Sequence, residues 1–362
     1  MSPIATAAIF CGREIGFRLE TTPLPSPGPE EILVAIEGCT LCGSDLHTLQ
    51  GRRAEPTPTI LGHEMCGRIV ASGTRADLFD ARGARLSVGD RITWSLIACC
   101  QRCFYCQAGL PQKCEQLRKY GHTRWSSGRE WHGGLAEFCL LFPGTTLVKL
   151  PDQLPLGLAC PVNCATATVM AALEAAQLAA TEKLLILGGG MLGLTAAAIA
   201  HHQFRGEVML CDARPDRLEV ARQMGVQRTV LSQDLTQACQ AWTHYGPDVV
   251  LDTAGSTKAV EMAIHHARLG GRILLVGSVF PDVPLSLSPE SIVRRCLSLR
   301  GIHNYQPRHL VAAVEAVSQP ALQGLETLVA GWYPLDSIEE AVELACRADG
   351  PVRVGIRMDS PR

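Results

Sequence analysis

The segment from Leu184 to Gly193 constrains the folding of this 362-residue chain more than any other. Four apolar residues, Leu184 to Leu187, lead into Gly188-Gly189-Gly190-Met191-Leu192-Gly193 and then into an alanine-rich stretch. A strand that turns on glycine and continues as a helix is the start of a parallel unit, because parallel neighbours need a long crossover and a helix is the usual one. The G-x-G-x-x-G spacing opens backbone N–H groups at the helix N-terminus, where a pyrophosphate can sit. Asp212 follows Gly193 by 19 residues, at the end of the next apolar run, Val208 to Cys211. An acid there accepts hydrogen bonds from ribose hydroxyls and repels a 2′-phosphate, so NAD is expected over NADP. The residues expected at the dinucleotide are Gly188, Gly190, Met191, Leu192, Gly193, Asp212 and Arg217. Read as a membrane span, Leu184 to Ala200 is 17 residues long and carries four glycines, which makes strand, turn and helix the better account.

The pattern around this unit predicts two domains built from three segments. From Glu30 to Leu150, short apolar runs such as Ile32 to Ile36 and Gly67 to Ala71 are broken by Gly and Pro, a β-rich texture. From Ala165 the texture alternates: helix to Ala180, strands Lys183 to Leu187, Glu207 to Cys211, Asp248 to Asp252 and Gly271 to Gly277, and helices Leu192 to His202, Arg217 to Met224 and Thr257 to Leu269 between them. Beyond Leu299 the pattern is mixed again, with helices Pro307 to Val317 and Ser337 to Arg347 and a last strand Val352 to Met358. The expected boundaries are residues 1–160, 161–298 and 299–362. With 33 basic against 35 acidic residues, the chain lacks the charge footprint of a nucleic-acid binder. Its first 20 residues lack the pattern of a secretory signal, so the 16 cysteines are read as reduced thiols of a cytoplasmic protein.

Four of those cysteines, Cys100, Cys103, Cys106 and Cys114, form a C-x2-C-x2-C-x7-C array in a lobe spanning about residues 99–115. Four thiolates at this spacing close a tetrahedron around one Zn²⁺, as a structural site requires. Cys99 competes with Cys100 for the first position. A second set is dispersed: Cys42, His63 in Gly62-His63-Glu64, and Cys164. Two sulfurs and an imidazole leave a fourth position for water or substrate, the signature of a catalytic zinc. Two alternatives stay open. Cys160 stands four residues before Cys164, and Cys39 and Cys66 sit near Cys42 and His63 at spacings that suit a closed site.

These motifs, with Val88-Gly89-Asp90-Arg91 and Gly133-Gly134-Leu135-Ala136-Glu137-Phe138, resemble the zinc-dependent medium-chain dehydrogenases of the alcohol dehydrogenase family over nearly the whole chain. The resemblance implies an α/β protein with a GroES-like β-rich catalytic domain, a Rossmann doubly wound parallel-sheet domain, two Zn²⁺ per chain and a homodimer or homotetramer. It implies hydride transfer between a primary or secondary alcohol and NAD, giving aldehyde or ketone. It also implies that Asp45 orients His63, that Ser44 and His47 relay the proton, that Thr168 touches the nicotinamide, and that Glu64 lies behind the zinc as an alternative ligand. Cys164 matches the family's third catalytic ligand.

The substrate is less legible. Arg52 and Arg53, with Lys119-Tyr120-Gly121-His122, resemble a subgroup associated with phosphonate metabolism, so a phosphonate-bearing or polyol alcohol is an expectation, and Trp94, Leu96, His122 and Tyr305 are wall positions by proximity to motifs. Two rivals remain: a Rossmann methyltransferase, which has no need of the Cys42, His63 and Cys164 set, and a non-catalytic nucleotide sensor on the same fold.

Overall fold

Strand Ile32–Thr40 is apolar along most of its length and buried at eight of its nine positions, which requires neighbours on both edges and cover on both faces. A computed structural model, describing residues 3–126, 128–204 and 206–358, supplies them. The strand pairs antiparallel with Glu64–Ser72 on one side and with Arg353–Arg357 on the other, and also with Phe138–Leu141. The full order of this eight-stranded sheet begins with Val329–Pro334, next to Arg353–Arg357, and ends with Arg91–Ala98 and Arg118–Lys119. A three-stranded sheet of Phe17–Pro23, Ile4–Phe10 and Thr59–Ile60 completes the β-rich unit. Its core includes the fully buried Ile9, Trp94, Trp131 and Leu135. This first unit comprises Met1–Cys164, Gln306–Ser318 and Glu326–Arg362.

The second unit, Ala165–Tyr305 with Gln319–Leu325, holds a six-stranded sheet in the order Arg228–Leu231, Glu207–Asp212, Lys183–Leu187, Val249–Asp252, Arg272–Leu275, Ser298–Gly301, parallel throughout. Lys183–Leu187 has Glu207–Asp212 on one edge and Val249–Asp252 on the other. The strand order therefore reverses at its carboxyl end, the place where open α/β sheets bind ligands. The run from Leu184 to Ala200 is a strand, a turn and the first part of helix Met191–Gln203. No single helix among the described residues is long and apolar enough to cross a membrane.

The boundaries differ from the expected ones in a way the sheet explains. Ser298–Gly301 pairs with Arg272–Leu275 as the sixth strand, so the second unit runs past residue 298 to Tyr305. This strand, and Arg228–Leu231, escaped the sequence reading because each has only four residues and carries charge or polar groups at half of them. The first boundary falls at Cys164 rather than residue 160, because the turn Pro161–Asn163 packs on strands Glu64–Ser72 and Arg91–Ala98 of the first unit.

Candidate active site and cofactor turn

Three chain ends of the first unit meet at one point. Cys42 follows strand Ile32–Thr40 and caps helix Gly43–Leu49, where its φ and ψ are extended. His63 immediately precedes strand Glu64–Ser72. Cys164 ends the turn Pro161–Asn163. Their ligand atoms all lie within 4.8 Å of one another, a spacing that two thiolates and an imidazole need in order to share one ion. The donor set fits zinc, and among the described residues no fourth donor joins it. Cys160 is not part of it: its sulfur lies 3.8 Å from Cys66 in the core. Cys39 bonds the Thr40 carbonyl at 3.7 Å, so Cys39 and Cys66 do not join Cys42 and His63 in the donor cluster.

The residues around this set hold it rigid. Asp45, 2 % exposed, places Oδ1 3.4 Å from His63 Nδ1 and accepts the backbone N–H of Cys42 at 2.9 Å and of Gly62 at 3.4 Å. One carboxylate thus orients the imidazole and the backbone of the neighbouring ligand. Ser44 Oγ lies 3.4 Å from His63 Nε2. His47 follows on the same helix at i+3, on the same face. Burial and then the charges of Arg52 and Arg53 hold its pKa below the ordinary value.

Two residues that the sequence reading gave no role are central here. Asn163, fully buried, donates from Nδ2 to the His63 carbonyl at 3.0 Å and the Trp94 carbonyl at 2.8 Å, pinning the turn that carries Cys164. Arg353 arrives on a strand whose Gly355 pairs with Thr40, itself paired with Glu64. Its Nε donates to Glu64 Oε2 at 3.0 Å, and Nη2 donates to Oε1 at 3.1 Å and reaches the Cys42 sulfur at 3.4 Å. Glu64 also accepts from Thr40 Oγ1 at 2.7 Å. With both oxygens engaged, it stands outside the donor cluster; burial pushes its pKa up to about 7 against the pull of Arg353. The Cys164 sulfur and, against the opposing effect of burial, the Arg353 guanidinium hold the Cys42 thiol well below its ordinary range.

The second cysteine set assembles as spaced. Cys100, Cys103, Cys106 and Cys114 bring their sulfurs within 4.8 Å of one another, and Cys99 does not join them. Backbone N–H groups of Cys100 and Gln116 donate to the Cys114 sulfur at 3.2 and 3.3 Å, and that of Cys103 to the Cys100 sulfur at 3.4 Å. Such donors favour thiolates. The Cys103 thiol is held at about 6, chiefly by the N–H of Glu115. Four converging sulfurs fit a closed zinc site.

In the second unit the three motif glycines serve different ends. A Cβ on Gly193 would stand 1.7 Å from the Gly188 carbonyl oxygen, and one on Gly188, at φ +107°, would stand 2.8 Å from the Ala254 nitrogen. These two glycines let strand and helix pack. A Cβ on Gly190 would meet nothing within 4 Å, so Gly190 is the one that leaves room, at the N-cap of helix Met191–Gln203. Met191 and Leu192 supply its first turn. Asp212 accepts from the backbone N–H of Gly189 and, at 2.7 Å, of Arg214, which fixes its carboxylate beside the turn. Open space, free helix-end N–H groups and a fixed acid fit a dinucleotide. Arg217 packs its Cβ side toward Gly189. Thr168 is buried on helix Ala165–Ala176 of the second unit.

Two family descriptions match the chain in order: an alcohol dehydrogenase GroES-like domain over residues 28–152 and a zinc-binding dehydrogenase over residues 192–319. An L-threonine 3-dehydrogenase of Deinococcus radiodurans is 30% identical over 296 residues, covering 80% of each chain. The chain belongs to the zinc-dependent medium-chain dehydrogenases. An uncharacterized zinc-type alcohol dehydrogenase-like protein of Haemophilus influenzae is 31% identical over 275 residues, 74% of this chain and 75% of the other. An alcohol dehydrogenase of Thermotoga maritima superposes with a TM-score of 0.91 at 25% identity, over 99% of this chain and 100% of its own. The dehydrogenase is accordingly an oxidoreductase of small molecules, with a GroES-like and a Rossmann domain.

The expected wall positions divide. Trp94 is a core residue with no exposure, Leu96 is buried, and Tyr305 belongs to the second unit. His122 lies beside His63. Of the arginine pair, Arg52 is exposed and bonds Gln50, while Arg53 is half-buried and pairs with Glu55. A paired guanidinium weakens the case for an anionic substrate group.

Proposed function

We propose that the dehydrogenase oxidises a primary or secondary alcohol to the aldehyde or ketone with NAD, using one zinc at Cys42, His63 and Cys164 and holding a second at Cys100, Cys103, Cys106 and Cys114. The observation that carries this reading is the meeting of two sulfurs and an imidazole from three separate segments within 4.8 Å. A zinc ion bound there supplies Lewis acidity that lowers the pKa of a substrate hydroxyl, and bound NAD supplies the hydride acceptor. The chain's own groups do the rest. Asp45 holds His63 in the ligating orientation. Ser44 Oγ, beside His63 Nε2, takes the hydroxyl proton and passes it toward His47, whose depressed pKa leaves a neutral imidazole to receive it. Asp212 reads the adenosine ribose and supports NAD over NADP; Gly190 admits the pyrophosphate. Thr168 is assigned to the nicotinamide by family resemblance.

The test is zinc content with NAD reduction over a panel of neutral, polyol and phosphonate-bearing alcohols. Two zinc ions per chain and turnover support the reading. Two zinc ions and NAD binding without turnover would return the sensor reading.

A further inference from the structure

Arg53, Glu55, Lys119 and His122 form a polar cluster of the first unit beside the donor set. Gly62 and Gly121 both hold positive φ, +87° and +79°, and a Cβ on Gly121 would stand 3.0 Å from the Gly62 carbonyl oxygen. The two turns therefore lie backbone on backbone, which sets His122 beside His63 with ring centroids 6.1 Å apart and 25° between planes. His122 Nδ1 is 3.0 Å from Glu55 Oε2 and 3.3 Å from Arg53 Nη2. A bare nitrogen lone pair so close to a carboxylate oxygen would be repelled, and Arg53 Nε already pairs with the other oxygen of Glu55 at 2.5 Å. Nδ1 cannot donate to Glu55 and accept from Arg53 at once; the shorter contact, to the carboxylate, decides, so the ring proton sits on Nδ1 and is donated to Glu55, while Arg53 Nη2 is a neighbouring charge and no hydrogen-bond partner. The Arg53 guanidinium 3.3 Å away disfavours a second positive charge on the ring, which leaves the neutral tautomer. Its Nε2 is then an acceptor. That nitrogen has no hydrogen-bond partner among the described residues, and the side chain keeps 15% of its surface open.

We propose that His122 Nε2 accepts a hydrogen bond from a second hydroxyl of the substrate, making the dehydrogenase selective for short diols over simple alcohols. The inference rests on Cys42, His63 and Cys164 being the place where the reacting hydroxyl binds. An acceptor nitrogen asks for a donor, which disfavours phosphonate or carboxylate oxygens. Arg53 and Lys119 place two cations against the single charge of Glu55, which disfavours an ammonium group as the donor. A neutral hydroxyl is what remains.

The experiment compares kcat/KM for propane-1,2-diol, propan-1-ol, 2-aminopropan-1-ol and 2-hydroxyethylphosphonate. The diol is expected to lead propan-1-ol by about fivefold to tenfold, the reach of one neutral hydrogen bond. His122→Phe should bring that ratio close to one. Glu55→Gln, whose amide donates to Nδ1 and drives the ring proton to Nε2, should lower the same ratio with the ring in place. Nitrogen NMR of histidine-labelled protein should find His122 protonated at Nδ1 and bare at Nε2, and adding the diol should shift the Nε2 signal. The proposal is overturned by a ratio near one in the unmodified protein, by equal losses on both alcohols in His122→Phe, by the opposite tautomer, or by faster turnover of the amino alcohol or phosphonate. Failure of every alcohol to turn over, with zinc content intact, instead removes the underlying reading and the inference with it.

Discussion

Asn163→Ala should detach Cys164 from the rest of the donor set. The side chain is fully buried, and its Nδ2 makes two hydrogen bonds, to the carbonyls of His63 and Trp94. Truncation leaves two buried acceptors without that donor, each at a cost of about 1–3 kcal/mol, and opens a small cavity. The two acceptors alone sum to about 2–6 kcal/mol, enough to lower the thermal midpoint by several degrees in a chain of this size. The loss is local as well as global, because the turn Pro161–Asn163 carries Cys164. Zinc content should therefore fall toward one ion per chain while the loop site keeps its own. Elemental analysis and a thermal scan, run with Asn163→Asp as a near-isosteric control that offers no amide donor, read both effects. A variant with the original midpoint and two bound zinc ions would refute the claim that Asn163 positions the third ligand.

Other expectations follow from the same geometry. Cys103→Ala opens a closed four-sulfur site and should cost stability first, whereas His63→Ala should abolish NAD reduction with a smaller change in midpoint; a Cys103→Ala protein that is fully stable but inactive would mean that the two sites are assigned the wrong way round. Asp212→Gly should narrow the preference for NAD over NADP in titrations of both cofactors, and tighter NADP binding by the unmodified protein would reverse the assignment. Asp80, 3% exposed, is held below the usual carboxylate range: burial opposes this, but Arg82 and the N–H of Lys149 outweigh it. A depressed folded pKa contributes stability above the unfolded value of about 3.9 and loses it as pH falls through the folded value. Asp80→Asn should thus destabilise at neutral pH and matter progressively less below about pH 4; an equal destabilisation at pH 7 and pH 2 would show that its charge is not the cause.

What the sequence made legible is what local spacing encodes. The cysteine array, the glycine turn with Asp212, and helices such as Pro307–Val317 are each written within a short stretch, so periodicity and motif suffice. Three roles escaped. Asn163 reads as an unremarkable turn residue, and its value lies in two carbonyls 69 and 100 positions away in sequence. Arg353 is 289 positions from Glu64, and only the antiparallel pairing of the last strand with Ile32–Thr40 brings them together. The division of labour among Gly188, Gly190 and Gly193 depends on which hypothetical Cβ meets backbone and which meets open space, a question for coordinates alone. Cys160 and Cys164 could not be told apart by spacing. The direction of the turn sends one sulfur to Cys66 and the other to Cys42.

The long-range pair also explains why the end of the chain must return to the first unit. Glu64 has no solvent exposure and neighbours two cysteines that must lose their protons to hold a metal. Three negative charges gathered in a buried place are untenable without compensation. Arg353 supplies one positive charge in a fixed fork on Glu64 with a reach to the Cys42 sulfur, and a divalent ion supplies two. With zinc bound as proposed, three negatives would face three positives. Residues 1–164 contain every donor of the catalytic set but not the guanidinium that neutralises its carboxylate. The strand Arg353–Arg357 therefore brings the compensating charge to the proposed zinc site as well as an edge to its sheet.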